Sequence, residues 1–502
     1  MKRIAGVAFS LIIAIVLSAH VGSPDVVFDG NAGPYPVRVI VRPPEVVPGL
    51  ADVVVRTDAH DVQRVVIRPV FWRAGVAGAP AGDAMHRVSA QDSLYTGQLW
   101  LMAYGSYSVY VTVTGARGTG TVIVPVASFA TGRLPLSRGL TAVLVVLGVL
   151  LIAGLLTIIR AASGESLVPP GEVFDAARRR RANLVTAIGA PVVALLVFGG
   201  ARWWNAEDNA YRRNMYRPPA VYPTVSVDSA HRTLTLLVRD TAAFRAIFVP
   251  IIPDHGKMMH LFLVAMPRMD AFAHLHPIKS DTGPAMTFTT QLPGLSAGHY
   301  RLFGDITLEN GLSLTVTDTI TVPDQKGAVA ASDSDDAWTL TYKVTRAAPG
   351  AVLPLDERYS MEWSGGQTPL VAHQPVDLKF TVRDKTNGAV VPLQPYMGMA
   401  AHAVVVRNDA SVFIHLHPMG TVSTAAQQIF AARDAGDTTA GGHLGAGALD
   451  GALTPSPGMP PMSMSGALTF PYEFPEPGLY RIWVQVKPRG RVLTGTFDMD
   501  VH

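Results

Sequence analysis

The segment Phe272-Ala-His274-Leu-His276-Pro277 returns as Phe413-Ile-His415-Leu-His417-Pro418, and this recurrence constrains the fold of the 502-residue chain more than any other feature. In each copy a lone histidine opens an apolar run ahead of the pair: His260 after Met258-Met259, and His402 after Met397-Gly-Met399. The lone histidine precedes the pair by 14 residues in one copy and 13 in the other, and Gly298-His-Tyr-Arg301 and Gly478-Leu-Tyr-Arg481 follow downstream. Such self-similarity marks a duplicated structural unit. In a strand, His274 and His276 project from one face beside Phe272, and Pro277 and Pro418 close their strands. A spacing of 13–14 residues suits a neighbouring antiparallel strand reached through a short hairpin, bringing the lone histidine to the pair.

Taken in order, the chain divides as follows. Residues 1–19 read as a signal peptide or N-terminal anchor: Lys2 and Arg3, an apolar run from Ile4 to Leu17, and a small-residue border at Ala19. Residues 20–135 read as an outward-facing β-sandwich domain, with alternating strands such as Val37–Arg42 and a Gly105-Ser-Tyr107 strand start, but no His-x-His pair. Residues 139–159 and 182–201 are long and apolar enough for transmembrane helices, and Trp203-Trp204 sits at interface depth. The intervening loop, 160–181, carries Arg160 and Arg178 to Arg181, which places it in the cytoplasm and both flanks outside. The first repeat copy is 225–323 and the second 338–501, joined by a small and acidic linker at 324–336. The second copy holds 39 extra residues between its His-x-His pair and its Gly-x-Tyr-Arg, read as a flexible insertion at 421–466. The expected fold is mainly β with transmembrane helices: three immunoglobulin- or cupredoxin-like antiparallel sandwiches and a two-helix membrane hairpin.

Composition narrows the chemistry. The chain has no cysteine, which removes disulfides, thiolate zinc sites, iron–sulfur clusters and blue-copper sites. Net charge is only +3, and no nucleic-acid signature is present. No metalloprotease, serine-hydrolase or P-loop motif occurs. Eleven of 15 histidines and 13 of 17 methionines lie at or beyond residue 255. Imidazole suits Cu(II) and zinc, and thioether selects Cu(I). The candidate metal ligands are therefore His260, His274 and His276 in one copy and His402, His415 and His417 in the other. Met258, Met259, Met397 and Met399 stand near them in sequence, and Met459, Met462 and Met464 lie in the insertion. Copper is the expected ion, with zinc the other candidate. Cleavage after Ala19 would also expose His20 as an amine–imidazole chelate, with His60 and His86 as companions. Strand-end histidines also serve as hydrogen-bonding core residues, and methionines as core filler. No fourth ligand is evident, and His255, His299, His373 and His443 read as structural or incidental.

The His…Phe-x-His-x-His-Pro segment followed by Gly-x-Tyr-Arg resembles the YtkA-like family of exported bacterial β-sandwich domains over 225–323 and 338–501, and more loosely over 34–127. The resemblance implies an immunoglobulin- or cupredoxin-like sandwich and an extracytoplasmic location. The layout, an outward β domain, two spans and a further outward β region, is also similar to the copper-bearing subunit of particulate methane monooxygenase. Three functions follow as expectations: a membrane-anchored copper-handling protein; a structural module docking a membrane partner, with the HLHP motifs as fold determinants; and a copper oxidoreductase subunit.

Overall fold

A strand with one wet face alternates apolar and polar residues, whereas a strand covered on both faces does not. The strand His260–Ala265 is buried at all six positions, and Ala401–Arg407 at all but the last. Both belong to sheets sandwiched between two layers. This follows from the architecture in the computed structural model, which describes residues 25–502 apart from 90–92, 166–170, 173–174, 218, 228–231, 240–249, 281–285, 325–332, 342–343, 366–368 and 437–463. The predicted signal segment, His20, His443, Met459 and Met462 lie outside the described residues.

The protein is mainly β, with several antiparallel sheets and three helices, two of them long and apolar enough to cross a membrane. Two compact units form: 129–217, and the described residues of 1–128 with 218–502.

In the larger unit, three segments each contribute two sheets. In the first copy, Ser313–Val322, Gly298–Leu308, His260–Ala265 and Ala271–Leu275 lie side by side, and Leu493–Val501, Gly478–Val486, Ala401–Arg407 and Phe413–Leu416 repeat that order in the second. The expected hairpins are present, with Phe262 opposite His274 and Val404 opposite His415. These two sheets pack against each other through the faces that carry the histidines. Phe262, Val264, Phe272 and Phe303 of one copy form a single apolar cluster with Val404, Phe413 and Trp483 of the other. The contacts are reciprocal, as in an isologous dimer: Phe272 stacks on Trp483 at 4.7 Å, and its counterpart Phe413 stacks on Phe303 at 4.3 Å.

Several boundaries differ from the sequence reading. Trp338 does not open the second copy: Ala337–Leu340 pairs with Ala271–Leu275 as an edge strand of the first copy's sheet. The insertion at 421–466 is not wholly a loop. Its start is the helix Thr424–Asp434, capped by Ser423 Oγ, which accepts from the Ala426 amide. Its Phe430 packs with Val70, Tyr110 and Ile123 of the N-terminal sandwich. The flexible-insertion reading passes over the apolar helical face at Ala425, Ile429 and Phe430 because small residues surround it.

In the smaller unit the helices are Arg138–Glu165 and Ala176–Asn214. The arginines expected on a 160–181 loop ride on the helices instead, Arg160 in the first and Arg178 to Arg181 in the first turns of the second, which Asp175 caps. Pro191 lies inside the second helix without ending it.

Candidate metal centre

The lone histidine and the pair meet in each copy. Ring nitrogens of His260 and His274 face each other at 3.1 Å, and His402 and His415 repeat the distance. His276 and His417 complete two triads whose ligand atoms lie within 4.8 Å of one another. Because the two sheets pack face to face, the triads adjoin: the ring centroids of His260 and His415 are 5.3 Å apart, and those of His274 and His415 5.6 Å. All six histidines are buried.

The hydrogen bonds set the tautomers. A carbonyl or carboxylate oxygen only accepts, so the ring nitrogen it faces carries the hydrogen and the other keeps its lone pair. His276 Nδ1 donates to Asp336 Oδ1 at 3.0 Å, and His417 Nδ1 donates to the Val422 carbonyl at 3.3 Å. The Nε2 atoms of His276 and His417 thus keep buried lone pairs, and neither has a partner among the described residues. Buried polar atoms are rarely left so, and here the same atom is orphaned in both copies.

The facing pairs obey the same rule. His260 Nε2 donates to the Asp254 carbonyl and His402 Nε2 to the Tyr396 carbonyl, both at 3.1 Å, leaving the Nδ1 lone pairs toward His274 and His415. By the same rule His274 Nδ1, 2.8 Å from Gln485 Oε1, carries its hydrogen, so its Nε2 lone pair faces that of His260 Nδ1; at His415 the Asp305 Oδ2, 3.6 Å from Nδ1, would accept the hydrogen there if Nε2 were to ligate a cation. Both acceptors come from the other copy and occupy equivalent sites, Asp305 opposite His260 and Gln485 opposite His402 in the ladders.

Electrostatics keep five of these imidazoles neutral. Burial, reinforced by neighbouring histidines, holds His260, His274, His402 and His415 well below the ordinary imidazole range. Burial takes His417 down to about 4. Burial pushes the Asp305 carboxyl up to about 7. Asp254 is held below the usual carboxylate range by His255, His417, His260 and Ser423, against its own burial.

Sequence reasoning missed His255. It sits in a turn, Asp254–Lys257, that the second copy repeats as Tyr396–Met399. His255 and Met397 occupy the same left-handed position, with φ of 51° and 50°. The His255 ring lies 5.0 Å from that of His417 and 5.4 Å from that of His402. Aligning the two turns six residues upstream of each lone histidine would have exposed the equivalence.

The methionines divide. Met397 is buried in the equivalent turn, and Met258 is half-buried. The Met259 sulfur would lie 3.3 Å from a Cβ at Gly304. Gly304 pairs with Leu261, on the sheet face opposite His260. Met399 packs in the N-terminal sandwich core and Met464 against the second copy's core. Met259, Met399 and Met464 are therefore apolar filler, not ligands. His60 and His86 are exposed. A further grouping, Asp25, His373 and Glu473, is occupied by Arg42, whose Nη2 donates to both Glu473 oxygens at 2.8 Å.

A family described as a domain of unknown function, DUF8832, matches residues 227–324 and 353–502, the two stretches that carry the triads. No curated protein matches the chain. Among solved structures, an engineered protein is 22% identical over 18% of this chain and 19% of its own, with a TM-score of 0.15. The chain thus spans about a fifth of that protein. A tetra-tandem repeat from the extending region of a large adhesion protein is 10% identical over 91% of this chain and 96% of its own, with a TM-score of 0.15. Dimeric latent PorU from Porphyromonas gingivalis is 7% identical over 91% of this chain and 32% of its own, with a TM-score of 0.16.

Proposed function

We propose that this is a membrane-anchored, non-enzymatic copper-binding protein that holds the metal between its two repeat copies for storage or delivery, on the outer side of the membrane. The observation that carries the reading is the pair of orphaned lone pairs at His276 Nε2 and His417 Nε2. Each is buried, fixed in tautomer by an acceptor on Nδ1, and joined by two further neutral imidazoles. Metal-bound histidines carry this kind of acceptor on the second nitrogen. Neutral imidazole without thiolate suits copper, with zinc the competing ion.

The membrane assignment rests on the two apolar helices. The chain before them and the chain after them pack into one unit, joined for example by the Asp29 backbone N–H donating to the Met419 carbonyl at 2.8 Å. Two crossings return the chain to the side it left, as that packing requires. The arginines between the spans support a cytoplasmic position for the connection.

Equilibrium dialysis of the full-length protein in detergent against Cu(II), followed by elemental analysis, tests the reading. Two copper ions per chain are expected, falling to one in His276→Ala and to one in His417→Ala. A wild-type protein without copper overturns it. An isolated 225–323 fragment is not a fair substrate for this test, because Gln485 and Tyr396 of the other copy close the first triad.

A further inference from the structure

We propose that the two copper half-sites are chemically unequal because the copies exchange their fourth donors: His255 of the first copy completes the second triad as an all-imidazole site, and Met397 of the second copy completes the first as three imidazoles and a thioether. This rests on the copper reading above and specifies which oxidation state each half-site prefers.

The geometry begins with reciprocity. Several contacts between the copies have an image with the copies exchanged: Phe272 on Trp483 and Phe413 on Phe303, Gln485 on His274 and Asp305 on His415. His255 follows the same exchange. Its ring is nearer to His417 and His402, at 5.0 and 5.4 Å, than to its own copy's His260, at 6.2 Å. The image of His255 is Met397, because both turns close with the same pair of backbone bonds, Asp254 with Lys257 and Tyr396 with Met399. Each turn also places its next residue, Gly256 or Gly398, at φ of 78° or 79°. Exchanging the copies carries the His255–His417 proximity onto Met397 and His276. Tyr396, next to Met397, already reaches across in this way, its hydroxyl 3.3 Å from His274 Nδ1.

The chemistry then differs by side. Among the described residues the His255 Nε2 contacts are long, 3.5 Å to Thr424 Oγ1 and 3.6 Å to Asp254 Oδ1, so a small ring movement frees it to ligate. Four imidazoles favour Cu(II), and a thioether in place of one favours Cu(I). The orphaned Nε2 of His276 and of His417 mark the point each fourth donor approaches. A chain carrying both sites holds one copper in each oxidation state under mildly reducing conditions.

The test uses full-length protein in detergent, loaded separately with Cu(I) and Cu(II). X-ray absorption of the Cu(I) form should show sulfur scattering. Met397→Leu should remove that scattering and weaken Cu(I) binding about tenfold in competition with a chromophoric chelator. His255→Asn, which tolerates the left-handed backbone, should weaken Cu(II) binding about tenfold and reduce the nitrogen hyperfine pattern, leaving sulfur scattering intact. Met397→His should abolish the sulfur signal and add a second nitrogen-only Cu(II) signal. If two copper ions bind but sulfur scattering is absent from the wild type or survives Met397→Leu, the exchange is wrong and the copper reading stands. Unchanged Cu(II) binding in His255→Asn overturns it equally. If the wild type binds no copper, both readings fall.

Discussion

His255 and His417 come from different copies of the repeat and hold their rings 5.0 Å apart. The triads therefore belong to the interface between the copies rather than to either copy. Face-to-face packing of two sheets supplies a buried interior whose polar content is the histidines with Gln485, Asp305 and Tyr396.

The acceptors lent across that interface should matter as much as the ligands. Gln485→Leu removes the group that receives the hydrogen on His274 Nδ1, and Asp305→Asn alters the one facing His415. Outer-shell partners of this kind are worth roughly 10–100-fold in metal affinity. Gln485→Leu is expected to weaken one copper site by that factor and spare the other, read by competition titration.

The stability of the metal-free protein should fall in acid. His260, His274, His402, His415 and His417 are neutral in the fold, with protonation suppressed by burial, whereas the unfolded chain protonates them near pH 6.5. Below that value the unfolded state binds more protons, so stability is lost as pH falls, by about 1 kcal/mol per unit for each such histidine until its own folded value is reached. Asp305 acts oppositely: its raised folded value costs stability as pH rises from its unfolded value near 3.8 to about 7, and adds no slope above that. Melting temperatures measured from pH 8 to 4 should drop steeply below pH 6.5, and Asp305→Asn, which removes the opposing contribution, should steepen that drop. A flat acid limb contradicts the buried-neutral assignment.

Gly420 is a sharp test of how the N-terminal sandwich holds the second triad. It follows the turn that begins at His417, has φ of 113°, and a Cβ there would lie 2.1 Å from the Val27 carbonyl oxygen. Gly420→Ala must separate the two segments or distort the turn, at about 1–3 kcal/mol. Copper should be lost from the second site alone, together with a lower melting temperature.

Trp483→Ala opens the apolar cluster between the copies at its stack on Phe272. The expected cost is about 3–5 kcal/mol, and both copper sites should weaken together because both depend on the same interface. Loss at one site only would show that the copies act independently.

Much of this arrangement was legible in the sequence. Strand periodicity put His274 beside His276 and predicted the hairpins that bring His260 and His402 to them. The unbroken apolar runs after those histidines carried a further message, that the strands are covered on both faces. Nothing in a linear reading says that the second cover is the other copy, so Gln485 and Asp305 were invisible as partners. His255 was missed for a related reason: its role depends on a turn that reaches across the interface, and its counterpart is a methionine. The buried helix at Thr424–Asp434 was hidden by its small residues, and Asp336, at the end of an apparent linker, by a contact 60 residues away with His276.

The most direct measurement is anomalous diffraction at the copper edge from crystals of the full-length protein grown with copper. The account predicts two peaks in the interface between the copies, one about 2 Å from His276 Nε2 and one about 2 Å from His417 Nε2, each also bonded to its facing histidine pair. Copper elsewhere on the chain with both triads empty would contradict it.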